Sequence, residues 1–138
     1  MQIEKLLQGL DYKLVKGPHD VDVQGLCYDS RKASAGFLFV CIPGLKTDGH
    51  QFAAQAIANG ARVILAEKVI ELPDGITLLV TADCRKALPV VSANFYGRPS
   101  HDLKVIGVTG TNGKTTTTHL IKAILEEAGF KTGIIGTL

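Results

Sequence analysis

Val105-Ile106-Gly107-Val108-Thr109-Gly110-Thr111-Asn112-Gly113-Lys114-Thr115-Thr116 runs from an apolar stretch through a glycine-bearing loop into a lysine and a row of hydroxyls. That order reads as strand, loop, helix, the unit from which α/β folds are built. Gly110 and Gly113 let the backbone curl so that successive N–H groups point at phosphate oxygens, and the following helix adds its positive N-terminal end. Gly110, Thr111, Asn112, Gly113, Lys114, Thr115 and Thr116 therefore form the candidate nucleoside-triphosphate loop. Lys114 and Thr115 are the candidate catalytic pair, the lysine for the terminal phosphates and the Thr115 hydroxyl for Mg²⁺. The loop is a variant form, because the position of the usual first glycine, five residues before Gly113, is held by Val108.

Working outward, Leu120, Ile121, Ile124, Leu125 and Ala128 fall on one face of the helix after the loop, and Gly129 caps it. Strands are predicted on either side, over 104–109 and 133–135, which makes a single βαβ unit and leaves most of a nucleotide-binding sheet unbuilt. The expectation is a fragment of a longer protein, with no acidic Mg²⁺ partner from a later strand. Upstream, residues 97–101 (Gly-Arg-Pro-Ser-His) break the composition, and a domain boundary is placed there: 1–98 as one domain, 99–138 as the start of a second.

Residues 3–10 show helical spacing of Ile and Leu, 12–16 and 21–28 read as extended, and 37–42 is a short apolar run bounded by glycine and Pro43-Gly44. A helix with Phe52, Ala53, Ala56 and Ile57 inward ends at Asn59-Gly60. Strands follow at 62–66 and 76–80. The next helix, through Leu88, Val91 and Phe95, is expected to start near Lys86 so that Pro89 sits in its first turn. Strands alternating with helices predict an α/β architecture with mainly parallel pairing.

The bulk properties are those of a globular chain that buries a core: 138 residues, 46% hydrophobic and 20% charged. A net charge of +2 with no basic run argues against nucleic acid or a membrane surface as partner. Cys27, Cys41 and Cys84 have no metal or redox spacing and fit a reducing compartment; Cys27 and Cys41, in apolar runs, read as buried thiols. With a polar N-terminus and no bilayer-length apolar stretch, no membrane insertion and a cytoplasmic location are expected.

A second constellation lies in the first domain: Tyr28-Asp29-Ser30-Arg31, Gly36-Phe37-Leu38-Phe39-Val40, Pro43-Gly44 and Asp48-Gly49-His50. Asp29-Ser30-Arg31 and residues 44–47 leave the ends of strands, where open α/β sheets bind ligands. Arg31 either pairs with a phosphate or locks Asp29, and a polar turn with a satisfied His50 is the plainer account of the same residues. Together with Asn59-Gly60-Ala61, Ala93-Asn94-Phe95-Tyr96 and the G-T-N-G-K-T-T loop, these motifs resemble the Mur ligase family over the whole chain, its MurE type most closely.

The resemblance implies an N-terminal α/β UDP-binding domain followed by the first βαβ unit of a P-loop ATP-binding domain. It places Tyr28, Ser30, Leu45, Lys46 and Thr47 on the uridine diphosphate of the substrate, and residues 110–116 on ATP. The implied activity is ATP-dependent amide-bond formation in peptidoglycan precursor synthesis. A diamino acid, meso-diaminopimelate or L-lysine, is added to UDP-N-acetylmuramoyl-L-alanyl-D-glutamate through an acyl phosphate. The segments that hold the muramoyl part, a second metal and the amino acid lie outside this sequence, so this chain is not expected to be a competent ligase alone. The alternatives are a MurF-type ligase adding D-Ala-D-Ala, whose loop usually reads G-S-x-G-K-T, and a non-catalytic sugar-nucleotide-binding module. An unrelated small P-loop kinase leaves the first domain unexplained.

Overall fold

The computed structural model describes residues 1–45 and 47–136 and separates into two units, Met1–Asp102 and Leu103–Leu138. The first unit is built on one five-stranded sheet whose central strands are short and apolar. Its strands are β1 (Lys13–Lys16), β2 (Gly25–Cys27), β3 (Phe37–Val40), β4 (Val63–Ala66) and β5 (Thr77–Val80), in the order β1-β5-β4-β3-β2. Strands β2 to β5 are parallel, with Cys27 opposite Phe39, Phe39 opposite Ile64, and Ile64 opposite Leu78. β1 closes one edge antiparallel to β5. The mainly parallel pairing expected from the sequence is the pairing found.

Period-two alternation divides the strand side chains between two layers. Leu38, Val40, Val63, Leu65 and Leu79 face one side, where they pack with Ile3, Leu6 and Leu7 around helix α1 (Ile3–Leu6) and with Cys84, Ala87 and Val91 of helix α3 (Cys84–Phe95). Phe39, Cys41, Ile64, Ala66 and Leu78 face the other, against Ala53 and Ala56 of helix α2 (Ala53–Ala58). Because both faces are covered, the central strands read as continuous apolar runs with no polar alternation.

Helix α3 differs from the sequence expectation. It begins at Cys84, and Pro89 lies inside it. The Asp83 side chain accepts the Lys86 N–H at 3.0 Å, and Glu67 Oε1 accepts the Cys84 N–H at 2.8 Å. Two first-turn donors are thus satisfied while Cys84 and Ala87 are buried. These gains offset the single helical bond that Pro89 cannot make.

In the second unit helix α4 (Lys114–Glu127) forms where the apolar face predicted it, and Gly129 follows at φ +86°. The predicted strands at 104–109 and 133–135 do not form: neither belongs to any ladder among the described residues. A strand exists only through its partner, and these two segments do not pair with each other. No helix among the described residues is long and apolar enough to cross a membrane.

Candidate functional site

Parallel pairing of β2 and β3 sends the chain segments that follow them off the same edge of the sheet. After β2 come Tyr28, Asp29 and Ser30; after β3 come Pro43, Gly44 and Leu45. The structure thus brings together at one sheet edge the two segments proposed from sequence for one ligand. Tyr28 is 65% exposed and Leu45 fully so, and Thr47 is exposed. Lys46, the remaining residue of that set, lies outside the described residues.

Ser30 is buried at the start of a one-turn 3-10 helix (Ser30–Lys32). Its hydroxyl donates to Gln55 Oε1 at 2.7 Å, and its carbonyl accepts from Asn59 Nδ2 at 2.8 Å. Gln55 belongs to α2 and Asn59 caps it, one helical turn apart, so this polar pair grips the loop from below. With its proton committed to Gln55, the Ser30 oxygen keeps lone pairs for a ligand donor.

The two readings of Arg31 are resolved in favour of the internal lock. Its Nε and Nη2 donate to the two Asp29 oxygens at 2.9 and 2.8 Å, and the Arg31 N–H adds a third bond at 3.1 Å. These contacts hold the Asp29 carboxyl down to about 2.

His50 is satisfied and buried, as the plainer account had it. Its ring lies between the Asp48 carboxylate and the Glu67 N–H, which donates to His50 Nε2 at 3.0 Å. A backbone N–H only donates, so Nε2 holds a lone pair and the proton sits on Nδ1, facing Asp48. Lys68 Nζ takes the other Asp48 oxygen at 2.8 Å. The Lys68 ammonium, and then His50, hold the Asp48 carboxyl well below the usual carboxylate range.

In the second unit, Gly110 and Gly113 adopt φ +150° and +75°, conformations open to glycine. The Cβ missing from Gly113 would meet nothing within 4 Å, and that of Gly110 only the Asn112 oxygen at 3.8 Å, so the loop leaves open space beside it. Gly113 is the N-cap of α4 and supplies no side-chain cap. Lys114 folds back over the loop, its Nζ donating to the Gly110 carbonyl at 2.6 Å. An ammonium lying across open glycine backbone at a helix N-terminus fits a polyphosphate. Among the described residues no three His, Cys, Asp or Glu side chains group as a metal site.

The family profile described as "Mur ligase family, catalytic domain" matches residues 22–96, more than half of the chain, and that described as "Mur ligase middle domain" matches 108–138. The chain belongs to the Mur ligase family. Among Mur ligases it is 56% identical, over all of its residues, to the UDP-N-acetylmuramoyl-L-alanyl-D-glutamate--2,6-diaminopimelate ligase of Syntrophomonas wolfei, and 47% identical to that of Clostridium perfringens. It covers 28% of each of those proteins. Among solved structures, a crystal structure of MurF from Acinetobacter baumannii matches 91% of the chain with a TM-score of 0.72 at 34% identity, using 27% of its own length. MurF from Thermotoga maritima in complex with ADP matches 76% with a TM-score of 0.60 at 28% identity, using 24% of its length.

The sequence pattern assigns no role to Gln55, Glu67, Lys68 or Arg85 and marks Asn59 only as a helix end and part of a family motif, yet the fold brings all five to the sheet edge. The i, i+4 polar pair Gln55 and Asn59 on an otherwise alanine-rich helix was a visible signal; the others had none.

Proposed function

We propose that this chain is part of an ATP-dependent ligase that joins a diamino acid, 2,6-diaminopimelate as in its named relatives, to UDP-N-acetylmuramoyl-L-alanyl-D-glutamate. One observation carries the reading: 56% identity to such a ligase runs unbroken from the sheet domain through the phosphate loop. In this reading residues 1–98 bind the uridine diphosphate and 99–138 open the ATP-binding domain. Tyr28, Ser30 and the 45–47 turn meet the nucleotide. Tyr28 offers an exposed ring, Ser30 a fixed acceptor, and the turn its backbone groups. Residues 110–116 hold the ATP phosphates, with Lys114 on the terminal phosphates and the Thr115 hydroxyl toward Mg²⁺.

Bound there, ATP would supply the phosphoryl group that activates the substrate carboxylate, leaving ADP and an acyl phosphate; the amine of the diamino acid would then displace phosphate and lose a proton as the amide forms. The residues of this chain supply position and positive charge, and no protein nucleophile is needed. A cytoplasmic setting, where both nucleotides are at hand, suits this activity. The MurF-type alternative has structural support in the Acinetobacter and Thermotoga matches, but their identity of 34% and 28% is well below 56%.

The test is an NMR titration of the chain with UDP and, separately, with Mg-ATP. Expected are UDP shifts centred on Tyr28, Ser30 and residues 44–47, weakened by Ser30→Ala, and ATP shifts at 110–116. UDP binding with no ATP response points to a non-catalytic sugar-nucleotide module. A folded chain unmoved by millimolar UDP defeats the reading.

A further inference from the structure

Pro43, Gly44, Thr47 and Asp48 bring the chain back on itself at the sheet edge. Pro43 and Asp48 pair in an isolated antiparallel bridge, and the Gly44 N–H donates to the Thr47 carbonyl at 2.8 Å. Beyond that bond, the described residues of the turn are held at its feet. The Pro43 carbonyl accepts from Arg85 Nη2 at 2.6 Å, in the first turn of α3. Asp48 accepts from the His50 N–H at 3.0 Å, from the His50 ring and from Lys68 Nζ. His50 passes the connection to β4 through the Glu67 N–H, and Glu67 Oε1 passes it to the Cys84 N–H of α3. Both feet are therefore tied to the end of β4 and the start of α3, two elements that offer no residue to the turn itself.

We propose that Asp48, His50, Lys68 and Arg85 are positioning residues for nucleotide binding. They hold the turn between Pro43 and Asp48 in its binding geometry before the ligand arrives. The proposal rests on the reading of this turn as a uridine diphosphate contact, and it gives the Asp48-Gly49-His50 segment a role. Leu45 and Thr47 are exposed, so burial does not fix them. A turn ordered only on binding lowers apparent affinity by the fraction of time it is misplaced. Anchoring through Asp48 removes that loss. Lys68 is the informative member. Its side chain is 58% exposed, and an ion pair of that kind contributes little to global stability. Its removal should loosen the turn and leave the fold in place.

The experiment measures UDP affinity of the full 138-residue chain by calorimetry for wild type, Lys68→Met, Asp48→Asn, the double variant and Lys68→Arg. Each single loss is expected to weaken binding roughly five- to tenfold, as for a turn left mostly misplaced. The double variant should be no worse than the weaker single, and Lys68→Arg should bind near wild type. Without ligand, the Gly44 and Thr47 amide signals should move in Lys68→Met while the melting temperature stays. Multiplying losses in the double variant would mean that Lys68 acts on the diphosphate directly, and unchanged affinity in the singles would mean that the anchors do nothing; either result overturns the proposal. Should Asp48→Asn unfold, Lys68→Met decides alone: weaker binding with displaced Gly44 and Thr47 signals supports it, and still signals overturn it. A wild-type chain that does not bind UDP removes the underlying reading, a failure visible before any variant is compared.

Discussion

Asp29 owes its lowered pKa to Arg31, two residues on. The guanidinium and the Arg31 N–H hold its carboxyl down to about 2 from an ordinary 3.8. A folded-state value below the unfolded one means that the unfolded chain takes up the proton first as pH falls. The contribution is fully present above pH 3.8 and is lost as pH drops through about 2. A carbon-detected NMR titration should find the Asp29 midpoint near 2 in the wild-type chain and back in the ordinary carboxylate range in Arg31→Ala. A midpoint near 4 in both would show that the lock does not persist in solution. Burial acts in the opposite direction on the thiols, pushing Cys27 up to about 11 and Cys41 and Cys84 up to about 12; the apolar runs around Cys27 and Cys41 predict such inert buried thiols, and Cys84 joins them. At this scale the sequence is half legible. The hydroxyl of Ser30 is visible in it, but Gln55, which fixes the direction of its proton, is 25 residues away.

Among the elements, the turn after β3 shows why a short motif has the composition it has. The Gly49 N–H donates to the Ile42 carbonyl at 3.0 Å, and a Cβ at Gly49 would lie 2.6 Å from both the nitrogen and the oxygen of Ile42. Backbone on both sides leaves nothing flexible to move aside. Gly49→Ala is expected to lower stability by about 1–3 kcal/mol, the usual cost of forcing atoms into a filled space, as read from the urea midpoint of the chain. No change in that midpoint would mean that the approach of 49 to 42 is looser than described. Asp48 and His50 flank this contact and point to Lys68 and Glu67, so aspartate, glycine and histidine serve three separate needs in three consecutive positions. Helix α3 carries the complementary lesson. Its proline predicts a late start, yet Asp83 and Glu67 satisfy its first turn and three buried side chains hold its inner face. Glu67 is distant in sequence, and no local rule about proline includes it.

For the whole molecule, the two units differ in what they bury. Among the described residues every buried side chain lies between Ile3 and Val91. Leu120 and Ile124 of α4 remain 60% and 69% exposed, together with Val105, Ile106 and Ile135. A fourteen-residue helix without tertiary packing is marginal in water. Hydrogen exchange on this chain should therefore find slow amides in β3, β4 and β5 and fast ones throughout 103–136, at least a hundredfold faster in order of magnitude, since unpacked helices open with almost no free-energy cost. Equal protection in both units would mean that α4 has found apolar cover. The sequence by itself determined the class of fold, the parallel strands, the glycine loop at the head of α4 and the family, because these rest on periodicity and on motifs whose residues are neighbours along the chain. Only the tertiary structure decided that Arg31 locks Asp29, that Gln55 and Asn59 hold Ser30, and that Lys68, Glu67 and Arg85 meet the turn at 43–48. It also decided that the stretches flanking α4 pair with nothing among the described residues. Contacts between distant segments follow from strand order and register, and a strand is made by a partner that no local pattern can supply.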